Sequence, residues 1–221
     1  MFNRKNLARN SFGVVAAVAI GLLACTPADA DTFVPLPGGE MVKTLSDGTV
    51  VTVRLVGESV NINPSLGSTP VHRNAWVSGT AQVEIAGASA GSYALIVPGY
   101  TVGCQVNIAG GGVGGGVEGA SDWEGNASVG GATSGELSLG PGQAKSFYIL
   151  DREKADDFGS ESHKVYNVVT GGNGSVAWAD QTIGLTGCGG YAQARAFVSV
   201  EVVTDSVTSW VTLWGQPFSL G

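Results

Sequence analysis

The sequence predicts an all-β protein: a β-sandwich domain with one long protruding β-hairpin, which reads either as one subunit's share of an oligomeric β-barrel, paired with its counterparts, or as a flexible loop on the sandwich. Three observations carry this. β-Branched and aromatic runs separated by Gly, Asn and Asp turns recur along the chain, as in Val50-Val-Thr-Val-Arg-Leu-Val56. No window sustains a helical apolar period with caps. Between two such β-rich portions lies Pro98 to Gly142, in which alternation of Tyr100, Val102, Cys104, Val106 and Ile108 with more polar neighbours gives way to Gly110-Gly-Gly-Val-Gly-Gly-Gly116.

Taken in order, residues 1–30 read as a secretory leader. Arg4, Lys5 and Arg9 form a basic start, Val14 to Ala24 an apolar core, and Ala28-Asp29-Ala30 a small-x-small cleavage site. Leu22-Leu-Ala-Cys25 loosely matches a lipidation site, so a lipid at Cys25 is the alternative to cleavage after Ala30. The apolar core is too short to span a bilayer as a helix, which leaves strands as the route into a membrane.

Residues 31–97 and 143–221 are assigned to the sandwich and 98–142 to the hairpin. Asp31 to Glu40, with Pro35 and Pro37, reads as an extended lead-in. Thr44 to Thr49 is a turn, Val50 to Val56 a strand, and Asn61 to Arg73 a loop carrying Pro64 and Pro70. Asn74 to Ile85 is a strand pair or one bent strand with Gly79 as its bulge or bend, and Ser92 to Val97 leads into the hairpin. Beyond Gly142, strands fall at Lys145–Leu150, Val165–Val169, Ser175–Trp178, Ala192–Val203 and Val207–Trp214. The charged stretch Asp151 to Lys164 reads as a surface loop.

A lone hairpin cannot enter hydrocarbon, because its edges carry unpaired N–H and C=O groups costing several kcal/mol each. Closing identical hairpins into a ring removes every edge. Eight subunits would supply about sixteen strands, enough to enclose water. The acids Glu118, Asp122 and Glu124 lie near the turn of the glycine-rich segment, with Trp123 the aromatic available there as an interfacial anchor. A flexible glycine linker is the competing reading of the same composition.

Charge excludes some classes of partner. Without residues 1–30 the chain keeps 8 Lys and Arg against 17 Asp and Glu, a net charge of −9, which does not suit nucleic acid. Cys104 and Cys188 are the two cysteines beyond the leader, and in an exported protein the pair predicts a disulfide tying the base of the hairpin to the domain.

Several stretches in order are similar to the MspA-type porins of mycolic-acid-bearing actinobacteria. They are Leu45-Ser-Asp-Gly48 before a Val-Thr-Val strand, Arg73-Asn-Ala-Trp76-Val-Ser-Gly79-Thr-Ala81, and Gly140-Pro-Gly142. The last group comprises Ala194-Arg-Ala-Phe197, Thr204-Asp-Ser-Val207 and Trp214-Gly-Gln-Pro-Phe218. The resemblance implies a homo-oligomer, an octameric goblet with a sandwich rim and a stem crossing the outer membrane and its lipid. It implies passage of small hydrophilic solutes and cations, and a narrow ring of acids onto which Asp122, Glu124 and Glu118 map. The hairpin is shorter than that family's, and the cysteine pair departs from its pattern.

Other chemistry finds no foothold in the sequence. His72 and His163 lie far apart without ligand-spaced neighbours, so they read as surface residues rather than a metal site or triad. Gly110-x-Gly112-x-x-Gly115 lacks the strand–helix context of a dinucleotide site. Asn126-Ala-Ser128 and Asn173-Gly-Ser175 read as turns, and Asp156-Asp157 as solvated. The tryptophans Trp76, Trp178, Trp210 and Trp214 read as core or subunit-contact residues. No cofactor and no enzymatic activity are expected. The alternative to a channel is an exported, non-pore sandwich module of the envelope.

Overall fold

The computed structural model describes residues 31–64, 70–106, 108, 136–137, 142–159 and 161–221, and among these every regular element is a strand. The strands are β1 (Thr32–Pro35), β2 (Gly39–Thr44), β3 (Val50–Pro64), β4 (Arg73–Ala86) and β5 (Tyr93–Cys104). Next come β6 (Glu136–Leu137), β7 (Ala144–Tyr148), β8 (Arg152–Ala155), β9 (Glu161–Lys164) and β10 (Asn167–Thr170). β11 (Asn173–Leu185), β12 (Ala192–Val203), β13 (Thr208–Trp214) and β14 (Phe218–Ser219) complete the chain.

Two six-stranded sheets face each other. One runs β1-β3-β4-β11-β6 with β2 also on β3; the other runs β10-β5-β12-β13 with β14 on β12 and β7 on β5. All these pairings are antiparallel except β6 on β11. Period-two patterning decides which face is buried. On β4 the inward set is Ala75, Val77, Ala81, Val83 and Ile85, and on β12 it is Ala192, Ala194, Ala196, Val198, Val200 and Val202. The alanine end of β12 leaves room for the large Tyr100 and Phe218 rings, which meet edge to face at 6.3 Å.

The long strands change partners along their length. β2 covers Val50–Leu55 of β3 and β1 covers Ser59–Ile62, with a bulge between Val56 and Ser59. Gly57 holds a left-handed φ of 63° in that bulge, a conformation that costs glycine nothing, and Glu58 follows it. A second bulge lies on β11 between Trp178 and Gln181, where Asp180 takes φ 52° and its N–H donates to Ser78 Oγ at 3.0 Å.

Four local readings are corrected. The lead-in holds two edge strands, β1 and β2; Pro35, which has no N–H, ends β1, and Leu36 N–H still donates to Glu58 O at 2.9 Å. The loop between β3 and β4 is shorter than Asn61–Arg73, because β3 runs to Pro64 and β4 begins at Arg73. Gly79 is not itself the bulge: it stands between the bulges of β3 and β11, and its missing Cβ makes room for the Trp178 indole. The charged stretch 151–164 forms a hairpin, β8 paired antiparallel with β9.

Candidate functional site

The glycine-rich segment leaves and re-enters the sandwich at one point. β5 pairs with β12 from Tyr93 to Cys104, and on its other edge with β7 from Gly99 to Gly103. Beyond the strand, Cys104 N–H donates to Gln143 O at 3.3 Å, while Gly142 N–H reaches Cys104 O and Gln105 O, each at 3.2 Å. Outgoing and returning chains are therefore hydrogen-bonded neighbours at the root.

The outgoing chain follows the segment before β12. Gln105 N–H donates to Tyr191 O at 2.9 Å, Gly189 N–H to Val106 O at 2.9 Å, and Ile108 N–H to Gly187 O at 2.8 Å. The Cys104–Cys188 disulfide, with its Cα atoms 5.9 Å apart, locks this ladder just outside the sheet. Cys188 N–H in turn donates to Val71 O at 2.8 Å, joining the root to the β3–β4 connection.

The alternation from Tyr100 to Ile108 is thus divided between two environments. Tyr100, Val102 and Cys104 point into the sandwich core, because this stretch is the second half of β5. Val106 and Ile108 are exposed beyond the disulfide. Beside the root lies an open groove of about 860 Å³, lined in part by Gln105, Gly142, Tyr191, Arg195, Trp214 and Pro217. Arg195 is fixed there twice: its Nε donates to Gly215 O at 2.8 Å, and its guanidinium stacks 5.2 Å from the Trp214 ring centre.

The outer face of the second sheet is aromatic. Tyr148 meets Phe197 at 6.1 Å and Phe197 meets Trp214 at 5.7 Å, with Trp210 on the same strand face as Trp214. Phe197 is covered because Gly99 beneath it has no side chain, whereas Tyr148, Trp210 and Trp214 stay exposed, Trp210 at 55%. Exposed aromatic strips of this kind mark contact surfaces.

Among the described residues, one carboxyl group lies inside the sandwich. Glu58, carried inward by the β3 bulge, is 2% exposed, and neither carboxylate oxygen has a hydrogen-bond donor among the described residues. Burial alone pushes its pKa up to about 7. Nothing in the sequence around Gly57-Glu58 distinguishes this carboxylate from a surface acid. At the opposite extreme, Asp47 is held below the ordinary carboxylate range by the Thr204 hydroxyl at 2.7 Å and the Thr49 N–H at 3.0 Å. That pair ties the turn before β3 to the turn between β12 and β13, two segments far apart in the sequence.

Of the residues predicted to carry function, Cys104 and Cys188 are joined as expected. Glu118, Asp122 and Glu124 lie outside the described residues, as do Trp123 and Asn126. Asn173 opens β11 opposite Glu84. His163 does have ligand-type neighbours: Asp151 Oδ1 at 2.7 Å and Glu153 Oε1 at 4.0 Å. The signal missed was the hairpin itself, since only pairing β8 with β9 sets Glu153 opposite His163.

A comparison with curated protein sequences returns no match. A family model does match: the one described as MspA covers residues 47–219, from the Asp47 turn through both sheets to the end of β14. The chain belongs to the MspA family.

Proposed function

We propose that this protein is one subunit of an oligomeric outer-membrane porin, an octamer through which small hydrophilic solutes and ions diffuse passively with a preference for cations. The observation that carries the reading is the root of the glycine-rich segment. Cys104 N–H donates to Gln143 O, and Gly142 N–H to Cys104 O and Gln105 O, so the intervening stretch starts and ends as a paired hairpin would. Membership of the MspA family supports a porin-type function.

The sandwich supplies the rim, and residues beyond Gln105 supply the stem. Val106 and Ile108 are the exposed apolar residues at its start, where the chain's own Gly187–Tyr191 segment pairs the outgoing edge, and further out the barrel closes only when neighbours satisfy both hairpin edges. The exposed strip of Tyr148, Trp210 and Trp214 is the surface on which adjacent rims pack. Copies of Glu118, Asp122 and Glu124 from each subunit line the narrow end, where a ring of carboxylates raises the local cation concentration. A leader over residues 1–30 directs the chain out of the cytoplasm.

Native mass spectrometry of protein extracted in mild detergent tests the assembly. Eight copies per particle are expected, falling to monomer when Trp210 and Trp214 are both replaced by Ser. A wild-type protein that stays monomeric at all concentrations would refute the reading.

A further inference from the structure

We infer that Asp151, Glu153 and His163 form a binding site for a zinc-type divalent cation at the β8–β9 hairpin. Glu153 and His163 are directly opposite in the antiparallel register, and Asp151 immediately precedes β8. One ligand atom from each residue lies within 4.8 Å of the others. The separations from His163 Nδ1, 2.7 Å to Asp151 Oδ1 and 4.0 Å to Glu153 Oε1, bracket the tetrahedron edge of roughly 3.3 Å expected for ligands about 2.0–2.1 Å from zinc.

A second observation separates this cluster from an ordinary surface ion pair. The Asp151 side chain is 5% exposed, and its Oδ2 has no hydrogen-bond donor among the described residues. A buried carboxylate oxygen without a partner costs free energy, and a cation that Asp151 holds through both of its oxygens removes that cost. Glu153 and His163, 57% and 41% exposed, leave an approach from solvent. Strand alternation also sorts the hairpin's charges: Arg152, Lys154 and Lys164 alternate with Glu153 and His163 and fall on the opposite face, so they do not neutralise the site.

An imidazole with two carboxylates suits zinc and its first-row neighbours, whereas calcium and magnesium favour oxygen alone. Three protein ligands leave the fourth position to water. The physical consequence falls on the hairpin. β8 and β9 form a two-stranded sheet of their own, an arrangement of marginal stability in water, and a cation bridging Glu153 and His163 staples the strands across their register.

The test is calorimetric titration of the untagged, leader-free protein with zinc chloride in chelator-stripped buffer at neutral pH, with hydrogen exchange followed in parallel. One zinc per chain is expected. Binding should weaken at least tenfold in His163→Gln and in Asp151→Asn and stay unchanged in His72→Gln. Zinc should slow amide exchange in β8 and β9 of the wild type and leave it unchanged in His163→Gln. The inference fails if millimolar zinc gives no saturable heat, if both variants bind like wild type, or if calcium binds more tightly than zinc.

Discussion

Trp178 reaches across the sandwich and donates its indole N–H to the hydroxyl of Tyr100 at 3.3 Å, the two rings standing edge to face at 6.3 Å. Both side chains are buried, one from β11 and one from β5, so a single hydrogen bond links the two sheets through the core. The indole fits because Gly79, its cross-strand partner, has no side chain: a Cβ there would lie 2.8 Å from Trp178 Cζ2. Gly79→Ala should therefore destabilise the fold by about 1–3 kcal/mol through overpacking. In a Trp178→Phe background, where that ring edge is gone, the same change should cost much less. Equal costs in denaturant unfolding of the two backgrounds would contradict the contact.

Glu58 gives the sandwich a pH dependence of defined sign. Its pKa is raised in the folded state to about 7 from an ordinary 4.5, so the native protein holds a proton that the unfolded chain releases between those values. Its stabilising contribution is complete below about pH 4.5 and is lost as pH rises through about 7. Glu58→Gln should unfold with a flatter pH profile, gaining up to about 3 kcal/mol over wild type at alkaline pH and little in acid. Parallel profiles for the two proteins would show that the carboxylate is solvated. Space around it is also restricted, since a Cβ on Gly215 would stand 2.8 Å from Glu58 Oε2.

The Cys104–Cys188 bridge closes a loop of 84 residues in sequence that includes the glycine-rich segment. Cys104→Ser with Cys188→Ser should lower stability by about 2–4 kcal/mol, mainly by freeing the unfolded chain. It should also release the ladder between Gln105–Ile108 and Gly187–Tyr191, visible as faster hydrogen exchange there than in the middle of β12. Exchange in that ladder as slow in the double variant as in the wild type would mean that the ladder stands without the bridge.

How much of this was readable in the sequence depended on the range of the signal. Alternation located the long strands, and the cysteine pair located the root, because both signals act over short range or through a residue type with one dominant partner. β1 and β2 escaped because edge strands bury little and so show little apolar patterning: every residue of β2 after Gly39 is exposed. Tyr100 to Cys104 alternates just as a lipid-facing strand would, and only the pairing with β12 and β7 shows that its apolar face meets the core. Glu58 and the Asp151–His163 pair were hidden for a related reason. A bulge and a hairpin register put them where they are, and neither is written in local composition.

In the proposed channel, the acids Glu118, Asp122 and Glu124 would set charge selectivity. Asp122→Asn with Glu124→Gln should shift the reversal potential in a salt gradient toward zero and lower the cation preference severalfold, an effect that fades at high salt as the ring is screened. An unchanged reversal potential would place the constriction at other residues.

Single-channel recording in planar lipid bilayers bears most directly on the central claim that hairpins from several copies close into a water-filled barrel. The account predicts discrete, long-lived conductance steps from the purified oligomer, with none from the Trp210→Ser, Trp214→Ser monomer. A stable, folded wild-type oligomer that never conducts would contradict it.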